Sequence, residues 1–561
     1  MKKAVLLRSC AALLVPFAAA TFVATPAVAQ ETTSSISGTV TAGGRAIPNA
    51  TVTVLHVPTG TRTTVRTNET GAYTAAGVRT GGPYTVSVSA RGFANAQVTD
   101  IYTTLGQTFE LPLTLEPEGK AIVVTASRVR GARSISEGPA TVLSANDISK
   151  VASVNRDIRD LMQRDPFASL DASQSTGRQV TFAGVNPRFN RFTIDGVPIT
   201  DSFGLNPDAL PSRRGPVPLD AIGQFETKVA PYDIREGFFG GGVINAVLKS
   251  GSNAFHGTAF FTYNDNTLNG HQAKNLTVPN LKTSSKDYGA EISGPIIKDR
   301  VFFMIAGERV RATFPISYTY NATLSDATLN NVIDIAKNTY QVDAGAPVLI
   351  NSDSDDRVVG KIDVNISDGQ RLSLTGLYTK DSIYAINKND NNNVSTMSDD
   401  YLKPNRVFGG VVQLNSDWSE VVSTEARIRY KDYKSGQDPF TPQTAFATVC
   451  TDHETTPGGL TNTTTTSTTA CSSNTGLVYI GPPGSAAANK LRIKTFGASL
   501  LTRFNLGAHT VRLFSEYENS DNYDLFLATT INPQPGSSGP YGAYYFDTIE
   551  AFQARTAQAF G

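Results

Sequence analysis

The chain has 561 residues, with 49 basic and 49 acidic side chains, and charged residues make up 17% of it, below the roughly 25% of ordinary soluble domains. A balanced charge gives no electrostatic reason to bind nucleic acid. The five histidines stand scattered at 56, 256, 271, 453 and 509 and no nucleophile–base set or metal-ligand spacing occurs, so no catalytic residue, metal site or cofactor is assigned.

The first residues carry Lys2, Lys3 and Arg8, then an apolar run over 11–23, then Ala27-Val28-Ala29. This is the pattern of a secretory leader, 1–29, cut between Ala29 and Gln30. Without its three cations the net charge is about −3. Beyond Ala29 no apolar run nears the roughly 18 residues of a transmembrane helix. A membrane-spanning chain of this sequence must therefore be a barrel, because only helices and closed barrels satisfy their backbone in lipid. The 28 Phe and 20 Tyr against one Trp suit a barrel with aromatic girdles.

Residues 30–115 hold short strands at period two, with Ile36, Val40, Val52, Val54, Val65, Tyr73, Tyr84, Val86, Val88, Leu111, Leu113 and Leu115 as the apolar positions. Gly and Asn turns punctuate them, which predicts an all-β sandwich of about seven strands. Residues 116–135 are read as a linker. Within it, Ile122, Val123, Val124, Thr125 and Ala126 form a short β-branched stretch suited to adding to a partner's sheet edge; the plainer alternative is a first strand of the next domain. Residues 136–250 are expected to form a mixed α/β unit. It would hold an amphipathic helix over 147–162, with Asp147 as its N-cap and Ile148, Val151, Val154, Ile158 and Leu161 on one face. The glycines at 240–242 lack the Gly-Lys-Ser/Thr ending of a phosphate loop, so a tight turn or close backbone approach explains them better.

From 251 onward the pattern predicts nine strands, at 256–263, 286–296, 301–311, 357–366, 370–380, 404–416, 421–433, 491–504 and 509–520. Their connections alternate long and short. Segregation of loop length by parity is the signature of an outer-membrane barrel. Cys450 and Cys471 flank a Thr/Ser/Gly/Asn-rich stretch inside one long loop. In an oxidising compartment they are read as a disulfide, stabilising by roughly 3 kcal/mol in the chain-entropy model; the alternative is two free thiols.

Residues 178–250 carry motifs in a telling order. Arg178, Phe182 and Gly184 come first, then Ile194-Asp195-Gly196-Val197, then 219–226, then Gly241-Gly242-Val243-Ile244-Asn245. The series resembles the plug domain of TonB-dependent outer-membrane receptors. The text of 34–115 resembles the carboxypeptidase regulatory-like domain, of a carbohydrate-binding-like fold class without catalytic residues. Ile122 to Ala126 resemble a TonB box. The segment GPIIKDRVFF at 294–303, with the leading sandwich, resembles the Oar-like branch.

The resemblance implies a mainly β chain: a periplasmic β-sandwich, a mixed α/β plug, and the N-terminal part of an antiparallel transmembrane β-barrel over 251–561. It implies a receptor in the outer membrane, in contact with its lipid, that imports an extracellular ligand. Import would be energised by the TonB periplasmic domain and its inner-membrane complex. Nine or ten strands fall short of the about 22 of a plugged transporter, so the chain is expected to be a fragment or truncated product. The alternative is a structural or adhesive outer-membrane protein on the same architecture, since fold does not decide function.

Overall fold

A computed structural model describes residues 32–560 apart from 118–121, 137, 172–177, isolated positions within 202–207 and 230–239, 269–271, 274–275, 278–281, 317–323, 389–392, 420, 442–444, 452–475, 484–488, 507–508, 527–542 and 558. The leader with Ala29 and Gln30, and Cys471, lie outside the described residues.

The N-terminal sandwich has strands β1 (Ser34–Ala42), β2 (Arg45–Ala46), β3 (Thr51–His56), β4 (Thr61–Arg66), β5 (Ala72–Val78), β6 (Gly81–Ser89), β7 (Ala96–Thr103), β8 (Gln107–Glu110) and β9 (Leu113–Thr114). Alternation decides the faces. In β3, Val52, Val54 and His56 turn inward while Thr51 and Thr53 stay partly exposed. The core is Ile36, Val40, Val52, Val54, Tyr73, Tyr84, Val86, Val88, Val98, Ile101, Leu111, Leu113 and Leu115, with Val65 only half-buried against it. Its two tyrosines keep their hydroxyls satisfied: Tyr73 donates to the Leu111 carbonyl at 2.8 Å and Tyr84 to the Arg79 carbonyl at 2.8 Å.

The segment read as a linker is part of this sandwich. Strand β10 (Ile122–Thr125) pairs parallel with β7, and β11 (Arg133–Ser136) pairs antiparallel with β8. One sheet runs β11-β8-β1-β2 with β5 and β9 also on β1; the other runs β10-β7-β6-β3-β4. The physical reason is edge chemistry. A sandwich leaves open strand edges, and a short β-branched segment tethered nearby satisfies them.

The next unit has a five-stranded mixed sheet built from Ala140–Ser144, Ile222–Lys228, Val243–Leu248, Arg191–Ile194 and Val197–Pro198. The single helix expected over 147–162 is two short ones, Ala145–Lys150 and Arg159–Met162. The N-cap is Ser144, with Asp147 three residues on closing a capping box, rather than Asp147 itself. The break follows from Val151, which leaves the helix in an extended conformation. It is held by Ser153, whose hydroxyl donates to Asp160 at 2.5 Å and accepts from the Asp157 N–H at 2.9 Å. Such local side-chain bonds compete with helix. Ile148, Ile158 and Leu161 are buried as the periodicity implied, but Val154 is 92% exposed.

Nine antiparallel strands follow: His256–Asp265, Ser284–Ile297, Val301–Pro315, Ile350–Ser367, Gln370–Ala385, Tyr401–Asp417, Val422–Pro439, Asn489–Leu506 and His509–Leu525. Each pairs with its neighbour in this series. All nine expected strands are present, and most run longer at the long-loop end. Their burial is inverted relative to a soluble sheet. Phe261, Tyr288, Ile305, Val358, Phe408, Ile428, Phe496 and Leu500 face outward and exposed, whereas Glu308, Asp353, Asp355, Arg357, Lys361, Arg427 and Arg429 are buried. An apolar outer band with a polar interior is what a lipid-embedded barrel wall requires. The mixed α/β unit packs against the inner face, its core continuous with Met304, Val359, Leu377, Val407, Val411 and Tyr433 of the wall.

The long connections are not bare loops. Asn393–Ser395, Phe446–Cys450, Leu477–Ile480, Ala543–Phe546 and Ala559–Phe560 assemble a separate five-stranded sheet. Helices Asp326–Tyr340 and Ile549–Ala554 pack on it around Val332, Val449, Val478, Ile480, Phe546 and Phe552.

Candidate functional site: a plug locked in a wall and a docked edge strand

The motif residues of 178–250 divide into clamps and close-approach glycines. Arg178 pairs with Asp157 at 2.9 Å and also with Asp160. Asp157 and Asp208 both hold Arg159, at 3.2 Å and 2.7 Å. Asp195 sits at φ 46°, tolerable for an Asp in a tight turn, and reaches both ways. One carboxylate oxygen accepts the Leu248 N–H at 2.9 Å. The other meets Lys361 Nζ at 3.0 Å and accepts from Thr375 at 2.9 Å, both on the wall. Asn245, buried, accepts from Thr193 at 3.0 Å. Gly184 and Gly196 have φ of 75° and 78°. At Gly241 and Gly242 an added Cβ would meet Asn190 Oδ1 at 2.6 Å and the Phe182 ring at 2.3 Å, so the glycine cluster is a close-approach device.

Further clamps escaped the sequence reading. Arg213 and Arg214 reach Asp353 at 2.7 Å and 2.6 Å. Arg156 lies 3.8 Å over the Phe260 ring and 2.6 Å from Asp220. Lys431 donates to the Thr200 carbonyl at 3.2 Å, and Asn206 to the Tyr433 hydroxyl at 3.0 Å. The signal was available: Asp353, Asp355, Arg357, Lys361 and Asp363 occupy alternate positions of one strand, a charged face that marks the interior side of the wall.

The sandwich sits against the rim formed by the short turns. Arg371 donates to the Gly77 carbonyl at 2.8 Å and to Thr63 at 3.1 Å, and Arg79 pairs with Asp363 at 3.3 Å. Asn365 donates to Thr61 at 2.8 Å. Gln224 of the α/β unit accepts the Leu105 N–H at 2.8 Å and donates to the Thr103 carbonyl at 3.0 Å. A cavity of about 820 Å³ remains between sandwich, α/β unit and wall, lined by His56, Arg79, Lys249, Glu291, Lys361 and Asp363 among others. Buried His56 is pushed down to about 3 by burial first and by Arg79 and Arg371 next.

In β10, Val123 is 60% exposed, while Val124 is half-buried against the sandwich core and Ala126 is buried in it. Cys450, fully buried, is disulfide-bonded.

Three family models match in succession. The carboxypeptidase regulatory-like domain covers residues 35–116, the TonB-dependent receptor plug domain 134–243 and an outer membrane β-barrel domain 247–348. The chain carries the domain set of a TonB-dependent outer-membrane receptor. A curated relative, the TonB-dependent transporter Oar of Myxococcus xanthus, is 28% identical over 169 residues, 29% of this receptor and 15% of that protein. Among solved structures, the outer membrane transporter YddB from Escherichia coli superposes with a TM-score of 0.50 at 13% identity, over 72% of this receptor and 50% of that chain. That likeness shows the fold. The siderophore receptor PirA from Acinetobacter baumannii gives 0.45 at 17% identity, over 71% and 50%. The receptor thus spans about half the length of these solved structures. It lies in the outer membrane with the sandwich in the periplasm, so the short turns are periplasmic and the five-stranded sheet of the long loops is an extracellular cap.

Proposed function

We propose that this receptor imports a ligand from outside the cell through its plugged barrel, energised by TonB from the periplasm. The observation that carries the reading is the position of β10. An extended, β-branched strand with an exposed Val123 lies on the periplasmic side, directly ahead of a plug held inside the wall by ion pairs. Strand addition gives a partner main-chain hydrogen bonds at β10. The ion pairs give the plug a defined closed state, which a pull transmitted through the chain has to break. The two similar proteins are named transporters, in agreement with this role. The disulfide of Cys450 is proposed to close on Cys471.

The test is a pulldown of the receptor with purified TonB periplasmic domain, comparing wild type with Val123→Pro. Proline removes a backbone donor and its ring disrupts strand pairing. Binding by wild type and its loss in the variant is the expected outcome. Equal retention of both, or of neither, would remove the energised reading and favour a structural or adhesive role.

A further inference from the structure

Strand β10 has two edges, and β7 occupies one of them. In a parallel pair the N–H and C=O of one residue point to the same side and successive residues alternate. About half of the backbone groups of the four residues Ile122–Thr125 therefore face β7, in the register Ile122↔Ala96, Val123↔Gln97, Val124↔Val98 and Thr125↔Thr99. The rest turn away. Among the described residues no strand pairs with that second edge. The side chains divide in the same spirit: Val124 and Ala126 face the sandwich core, and Val123 faces out. The strand is anchored by one face and one edge, and its other edge is an open template.

We infer that the sandwich presents the box in cis: the partner strand of TonB adds outside β10 as a sixth strand of the β10-β7-β6-β3-β4 sheet, and β10 stays paired with β7. The inference rests on the TonB reading above and specifies its docking surface. Leaving β7 would uncover Val124 and Ala126 and open the β7 edge, with no gain in backbone pairing for β10. Staying keeps the strand already extended, so little further ordering opposes binding. The sandwich is then the body that TonB grips, and it also holds β11, the last strand before the plug.

Gln97 and Val123 are paired in register with both side chains outside the core. The experiment places cysteines at both, Q97C with V123C, in the full chain in detergent, and bridges them with a short thiol crosslinker. Affinity for purified TonB periplasmic domain is measured on bridged and unbridged double variant, both single variants and wild type. The expected result is a bridged affinity within about threefold of the others, well under the 1.4 kcal/mol of a tenfold change. A loss beyond about threefold in the bridged form alone overturns presentation in cis and leaves the TonB reading standing. Absence of binding in every form, wild type included, overturns both. Hydrogen exchange on the unmodified chain gives a second reading that no variant can confound. Those amides of 96–99 that face β10 stay protected when TonB binds if β10 remains in place, and their deprotection overturns the inference.

Discussion

Asp195 shows how one motif residue serves two bodies at once. It fixes a tight turn of the plug through the Leu248 N–H and fixes the plug to the wall through Lys361 and Thr375. Lys361 is buried and has in Asp195 its closest carboxylate, so Asp195→Ala strands an ammonium in a low-dielectric setting. Breaking a buried pair from one side costs about 3–5 kcal/mol. The expected outcome is a plug that is cut by protease at lower temperature than in wild type, while cleavage within the nine-stranded wall is unchanged. An unchanged proteolysis profile would show that Asp195 does not hold the plug. Asp195→Asn, which keeps an acceptor for Leu248, should fall between.

At the scale of elements, the extracellular cap holds a built-in conflict. Asp399 and Asp400 stand side by side and fully buried. Asp399 accepts from Ser395 at 2.7 Å and from the Asn387 amide at 3.0 Å and 3.2 Å, yet burial pushes its pKa up to about 8. Its folded value lies above the ordinary 3.8, so its contribution is fully present below that value and is lost as pH rises through about 8. Asp399→Asn is therefore expected to remove that slope and to make the cap more resistant to protease at pH 8 than wild type. Greater sensitivity of the variant at pH 8 would reverse the argument. Within the same cap, Cys450→Ser should lower stability by roughly 3 kcal/mol, the loop-closure contribution of a bridge of this span. Peptide mapping without reductant should join Cys450 to Cys471 in wild type.

The elements also show what was legible from residues alone. Barrel strands announce themselves because lipid on one side and charge on the other force strict alternation, and all nine were readable. The sandwich core was readable for the same reason. The cap was not. Its strands are two to five residues long, they lie up to 167 positions apart between Asn393 and Phe560, and pairing of such pieces leaves no local period. The helix over 147–162 failed for a different reason. Its apolar spacing was sound, but side-chain bonds of Ser153 to Asp160 and Asp157 outweighed it. The segment of Ile122 was recognised as an edge-seeker without its nearest edge being foreseen, because β7 becomes available only once the sandwich has folded.

For the whole molecule, the seam between sandwich and barrel is polar and encloses a buried histidine. Burial first, and then Arg79 and Arg371 beside it, push the pKa of His56 down to about 3 from the ordinary 6.5. A depressed histidine contributes stability that is complete above pH 6.5 and is lost as pH falls toward 3. Protonation would add a third cation to the pair that grips Asp363, Gly77 and Thr63. Thermal unfolding of the sandwich is thus expected to drop between pH 6.5 and 4, and His56→Gln should flatten that drop. A drop of equal size in the variant would place the pH sensitivity elsewhere.

The strand Ile350–Ser367 carries Asp353, Asp355, Arg357, Lys361 and Asp363 on its inner face, each now engaged with the plug, the sandwich or a neighbour. Any displacement of the plug bares a surface of fixed charges of both signs at close spacing. Water would enter such a lane at once, because unpaired buried ions are costly. On the import reading proposed above, a solute crossing it would slide over a hydrated, zwitterionic track, which favours polar over greasy cargo.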